Sequence, residues 1–262
     1  MAKLRNYFVW ASALISLLLP LYLMGSALGV KFGVFDWRFG LLTLIREWGV
    51  YYLIAALALG VLALILSLVL KPRQLWFVAL FAVLVPLGVG GYGYSIVGQA
   101  RALPPIHDIS TDLFDPPDYS DTVMDMRGDA SNSVDLLNAT TPDGQSVIAQ
   151  QKEAYGDIEA IATGLPPEIA FDLALQTMRT RPWAIVTADK EGGRIEAVAT
   201  SFWFGFRDDV VVRVRPDGQG ARIDMRSTSR VGQSDLGANA GRMRVYLEDL
   251  RARIADAERE IG

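Results

Sequence analysis

Residues 207–242 read RDDVVVRVRPDGQGARIDMRSTSRVGQSDLGANAGR. Two alternating runs flank PDGQG, a turn composition with glycine where a tight hairpin needs it, so the stretch predicts two antiparallel strands. A polar loop follows, and then a helix. Alternation assigns the faces. Val210, Val212 and Val214 share one face with Ile223 and Met225, and these five should meet a core. Val211, Arg213 and Arg215 point the other way, with Arg222, Asp224 and Arg226 opposite them. Asp224 then stands between arginines across the hairpin, and the charged side is expected to be a solvated sheet face held by weak surface pairs.

Outward from the hairpin, residues 158–163, 183–188 and 194–204 read as further strands. LPPEIAFDLALQTMRTRP (165–182) reads as a helix opened by paired prolines and stopped by Pro182. A last helix is expected from Leu236 to about Ala257. The order β-α-β-β-β-β-α predicts an α+β domain over residues 151–262: an antiparallel sheet with two helices packed against it.

The N-terminal part is of another kind. Residues 8–30, 49–70 and 75–98 carry no charge, and each is long enough to cross about 30 Å of hydrocarbon. Residues 1–101 therefore predict a module of three transmembrane helices, the first retained rather than cleaved as a signal peptide. The connection at 31–48, with Phe32, Phe35, Trp37, Phe39 and Trp48, has the composition of an interfacial segment. Gly25 and Gly29 form a GxxxG suited to close helix packing. Lys3, Arg5, Lys71 and Arg73 lie on one side of the module and Lys31, Arg38, Arg46 and Arg101 on the other. The denser Lys71–Arg73 linker places the N-terminus in the cytoplasm and the C-terminal domain on the other side of the membrane. Between the two modules, residues 102–150 contain five prolines and many aspartates and predict an extended linker.

Composition limits the function classes. Residues 1–101 hold eight Lys/Arg and two Asp/Glu, while the remainder holds 17 and 27. So acidic a C-terminal part lacks the positive footprint that nucleic acid requires. There is no cysteine, which removes thiol chemistry and thiolate metal sites. The single histidine, His107, lies beside Asp108 and Asp112 and reads as a hydrogen-bonded loop residue; neither metal nor cofactor is expected.

Candidate site residues concentrate at the strand-to-helix junction: Arg226, Ser227, Ser229, Arg230, Ser234, Asp235, Asn239 and Arg242, with Asp208 and Asp209 alongside. Arg230 can pair with Asp208 or Asp209, Ser234 or Asp235 can cap the helix, and Asn239 or Arg242 can close a network. The alternative use is a small anionic ligand held by Arg226, Arg230 and the helix N-terminus. Catalysis is harder to build. Ser229 and Ser234 have no histidine base in the domain, and adjacent Asp208 and Asp209 point to opposite sheet faces.

Three pieces of the chain, PPIHDISTD with DPP, RIEAVATSFWFGFRDDVVVRVR and RSTSRVGQSDLGANAGR, resemble in order a bacterial and plastid family, domain of unknown function 1499. The resemblance spans roughly residues 104–254. It departs in a longer acidic segment between the DPP piece and Tyr155. It implies an envelope-associated domain with no assigned activity and, joined to the charge bias, a multi-pass protein of the bacterial inner membrane with its C-terminal domain in the periplasm. It marks Phe206, Asp208, Asp209, Arg226, Ser227, Ser229, Arg230, Gly232, Ser234, Asp235, Gly237 and Asn239 as a site or core without roles. The resulting expectation is a membrane-tethered binding or protein-interaction domain whose partners are the bilayer and another envelope protein or a small anionic ligand. Alternatives are an enzyme or small-molecule carrier using residues 226–239, or a structural subunit of a larger membrane complex.

Overall fold

The computed structural model describes residues 2–261. The chain forms two compact units, one of residues 1–100 together with 202–205, the other of residues 101–201 and 206–262.

The first unit contains three helices long and apolar enough to cross a membrane: α1 (Ala2–Lys31), α2 (Gly49–Val69) continued backwards by a π-helical segment (Arg38–Trp48), and α3 (Trp76–Ala102). The connection at 31–48 is therefore largely helical and runs into α2 without a break. Arg5 is buried and donates to the Leu70 and Pro72 carbonyls at 2.8 and 2.7 Å, closing free carbonyls at the end of α2. Lys3, Arg5, Lys71 and Arg73 thus gather at one end of the bundle. Within the chain Gly25 and Gly29 do not form a paired packing face: a Cβ on Gly25 would meet open space, while Gly29 lies under the Phe35 ring.

Pro86 explains a close contact among these helices. Proline has no N–H, so it leaves the carbonyl four residues earlier without its helical partner. That carbonyl belongs to Ala82, and the Ser16 hydroxyl of α1 donates to it at 2.7 Å. Gly60 of α2 lies against the same peptide, where an added Cβ would stand 2.5 Å from the Ala82 oxygen and 2.8 Å from its carbon. Backbone cannot yield as a flexible side chain can, so α2 and α3 must separate. Gly60→Ala is expected to destabilise the bundle by about 1–3 kcal/mol. Thermal denaturation in mild detergent checks this, and an unchanged midpoint would refute the contact.

The second unit is the α+β domain. Its order is β1 (Asp108–Ser110), α4 (Asp121–Arg127), α5 (Val147–Tyr155), β2 (Ile161–Thr163), α6 (Pro167–Arg179), β3 (Trp183–Asp189), β4 (Arg194–Thr200), β5 (Arg207–Asp217), β6 (Gly220–Ser229) and α7 (Ala238–Ile261). The strands run β1-β6-β5-β4-β3, with β2 also on β6, and every pairing is antiparallel. The hairpin register sets Val212 opposite Met225 and Val214 opposite Ile223. On that face α6 and α7 supply Phe171, Ala174, Met178, Met243, Tyr246, Leu247 and Leu250. Apart from the small Ala174, each such side chain stabilises the fold by roughly 1.5–3 kcal/mol when fully buried.

Residues 102–150 are not an extended linker. β1 adds to the outer side of β6, and Ile106, Ile109, Leu136 and Val147 enter the main core. Residues 112–134 cross the second face of the sheet, where Tyr119 and Val123 pack on Val211. α4 is bounded by short-range chemistry: Ser120 accepts from the Val123 N–H, Asp121 lies in its first turn, and Gly128 leaves it at φ 68°. The face expected to be solvated is consequently covered around Arg226, while toward the hairpin turn Arg213, Arg215 and Arg222 stay partly exposed and pair with Asp224. Asp224 is 0% exposed and Arg226 1%. An open charged face would have cost little; a closed one must pair every charge it buries.

Candidate functional site

The candidate residues divide between the two faces of the sheet, as the alternation of β5 and β6 requires. On the helix face lie Asp208, Ser227 and Ser229 with Asn239 and Arg242 of α7. The Asn239 amide donates to the His107 carbonyl and to Ser229 Oγ, both at 3.0 Å, and its Oδ1 accepts from the Ser227 hydroxyl at 2.7 Å. Arg242 donates to Ser227 Oγ at 2.9 Å, to Asn239 Oδ1, and to Asp208 at 2.7 Å. This group fastens α7 to the ends of β5, β6 and β1.

On the opposite face lie Asp209, Arg226, Thr228 and Arg230, closed over by residues of the 102–150 segment. Arg226 makes a two-point contact with Asp108, Nε at 3.0 Å and an Nη at 2.7 Å, and also donates to the Pro117 and Val134 carbonyls. Asp209 stands between two guanidiniums: Arg127 reaches it at 2.5 Å and Arg230 at 2.7 and 3.0 Å. Arg127 also donates to the Asn132 carbonyl and Arg230 to the Met126 carbonyl. Tyr119 links the two pairs. Its Oη lies 2.9 Å from Thr228 Oγ1 and 3.0 Å from the Asp209 carbonyl, and Thr228 donates to Asp108 at 2.7 Å. Arg127 and Arg226 lie 5.8 and 5.4 Å from its ring centroid. Burial raises the phenol pKa, with the Asp108 charge adding to the effect, so Tyr119 remains a neutral hydroxyl. Alongside, buried Glu196 of β4 accepts the backbone N–H and hydroxyl of Ser120 at 2.7 and 2.6 Å.

Arg226, Arg230 and the N-terminus of α7 therefore do not converge: the arginines lie on one face of the sheet and the helix on the other. Arg230 takes Asp209, not Asp208. Three surface concavities, lined by residues around Trp10 and Phe81, around Arg46 and Tyr51, and around Asp157 and Arg251, include neither Arg226 nor Arg230. Among the described residues no group of three or more His, Asp or Glu side chains is arranged to hold a metal ion. The His107 ring nitrogen Nδ1 lies 3.4 Å from the Gln233 carbonyl.

The junction loop is organised by Asp235. Its carboxylate accepts the backbone N–H groups of Gly237 and Asn239 at 2.8 and 2.7 Å and so caps α7, while Ser234 Oγ accepts only from Leu236. Gly237 adopts φ 79°, a conformation that favours glycine; Gly241 faces open space and supports no close approach. Burial raises the Asp235 pKa, and neighbouring Asp208 raises it further against the two N–H groups and Arg242. A raised folded-state pKa gives stability that is complete below the unfolded value and lost as pH rises through the folded one. Asp235→Asn keeps an acceptor at the cap and should remove this pH-dependent loss, whereas Asp235→Ala should cost about 1 kcal/mol at neutral pH. Urea midpoints of both variants at acid and neutral pH check the pair.

Sequence reasoning missed Asp108, Tyr119, Ser120, Arg127, Asn132 and Glu196. A signal was present for Asp108: strand alternation puts Arg226 and Thr228 on one face, and a buried arginine there requires a carboxylate from outside the hairpin. Nothing local marked the others. A model of the family described as "Protein of unknown function (DUF1499)" matches residues 108–250. No curated protein matches the chain.

Proposed function

The chain belongs to the DUF1499 family, and on that premise we propose that it is a membrane-tethered domain of the bacterial cell envelope. In this reading the domain faces the periplasm and acts by binding another envelope component through its surface. The observation that carries the reading is the closure of the polar clusters. Arg226 and Arg230, the cations best placed by sequence to hold an anionic ligand, are engaged by Asp108 and Asp209 under a cover of folded chain. A ligand could reach either arginine only by displacing a buried carboxylate and part of that cover. Three apolar helices preceding the domain support tethering. The cationic end formed by Lys3, Arg5, Lys71 and Arg73 supports a cytoplasmic N-terminus.

Reporter fusions at Gly262 test the placement: alkaline phosphatase should be active there, and a cytoplasm-dependent fluorescent protein dark. The reverse pattern would overturn the periplasmic assignment. Binding is tested by crosslinking in cells followed by purification in mild detergent. A stoichiometric envelope partner is expected, and a chain recovered only as itself would count against the interaction reading.

A further inference from the structure

The connection between β4 and β5 is an aromatic hairpin tip, Ser201-Phe202-Trp203-Phe204-Gly205-Phe206. It is a formed turn, not a loose loop. The Ser201 N–H donates to the Phe206 carbonyl at 2.8 Å, the Phe206 N–H donates to Ser201 Oγ at 2.9 Å, and Gly205 turns the chain at φ 69°. Yet two of its four rings are turned outward. Phe202 is 72% exposed and Trp203 46%, and they stack edge-to-face at 5.1 Å. An ordered turn that displays a Phe–Trp pair to its surroundings has the amphipathic chemistry of a membrane–water interface anchor.

Two further observations select the occupant. Residues 202–205 belong to the compact unit that holds the three apolar helices. Within that unit, Lys31, the last residue of α1, donates its Nζ to the Phe202 carbonyl at 2.8 Å and lies 4.8 Å from the centroid of the Phe202 ring. A lysine that ends a spanning helix marks the level of the lipid headgroups. Parity agrees: with three spans, the end of the first helix and the start of the domain emerge on one side, whichever side that is. Arg207, exposed beside the tip, adds a second cation suited to lipid phosphate.

We propose that the Phe202–Trp203 tip of the β4–β5 hairpin inserts into the phospholipid headgroup region and is a second, non-helical membrane contact of the domain. The proposal rests on the membrane-tether reading and is separable from it by experiment. Because the chain has no cysteine, one introduced thiol can be labelled uniquely. Trp203→Cys, and Phe202→Cys as a second site, would carry an environment-sensitive fluorophore in the full chain reconstituted into vesicles of zwitterionic and anionic phospholipid. Gln219→Cys, on the exposed β5–β6 turn, is the aqueous control. Labels at 202 and 203 should emit to the blue of the control, be quenched by a nitroxide shallow in the acyl chain, and be protected from aqueous iodide. Labels that match the control, or that shift to the blue without lipid-borne quenching, overturn the insertion. Flotation with the vesicles after alkaline extraction reports the tether independently. A chain that floats while its tip stays in water defeats only the tip assignment, and a chain that does not float defeats the tether and the tip together.

Discussion

Asp209→Asn is expected to destabilise the α+β domain by about 3–5 kcal/mol, the range for breaking a buried ion pair from one side. Asp209 is 0% exposed and is held by two guanidiniums, so removing its charge leaves Arg127 and Arg230 buried with only carbonyl partners. Asparagine preserves the volume, so the loss reports charge and hydrogen bonding, not a cavity. For a domain of this size the shift corresponds to roughly 10 °C in Tm. Asp172→Asn is the control. Its pair with Lys190 is about half exposed on both sides, where such a contact contributes at most about 1 kcal/mol. Unfolding of the full chain in mild detergent measures both, and equal small losses would show that Asp209 does not hold the cover in place.

The second large effect is expected at the Arg226–Asp108 pair, and here a double variant separates charge from fold. Arg226→Met alone should lose about 3–5 kcal/mol, because the Asp108 carboxylate then keeps only the Thr228 hydroxyl among the side chains bonded to it. It also removes the donors that hold the Pro117 and Val134 carbonyls, so proteolytic nicking within residues 112–134 should accelerate. Replacing both partners, Asp108→Leu with Arg226→Met, leaves no unpaired charge and should recover much of the loss, since well-packed apolar substitutes for buried pairs are often neutral. A double variant as unstable as the single one would mean that the pair organises the cover through geometry that apolar contacts cannot replace.

Both predictions depend on a cover that was hard to read from the chain. PPIHDISTDLFDPPDYS carries prolines and turn-forming aspartates, the local marks of an extended segment. Locally that reading is sound. β1 is three residues long and α4 seven, too short for either to show a period or to be stable alone. They exist because Ile109 enters the core beneath β6 and because Asp108, Tyr119 and Arg127 find partners more than eighty residues away. By contrast β5, β6 and α6 were legible, since each is long enough for one face to repeat. The hairpin register observed, with Val212 opposite Met225, is the one alternation demands.

The divided site follows from the same physics. That Asp208 and Asp209 face opposite ways is a property of any strand and needed no coordinates. Which arginine each carboxylate meets was decided by what lies above each face: Arg242 from α7 on one side, Arg127 from α4 on the other.

The amino-acid sequence by itself determined three apolar segments long enough to cross a membrane, a following α+β domain and the two-faced hairpin at residues 207–242. All of these rest on composition and on periods of two and 3.6 residues, which are local quantities. Only the tertiary structure decided that the charged face of that hairpin is interior at Asp209, Asp224, Arg226 and Arg230, while Arg215 and Arg222 stay partly exposed. A stripe of arginines and aspartates reads the same whether water or folded chain lies against it, and the difference is made by distant residues that bring carboxylates, carbonyls and a tyrosine to satisfy it.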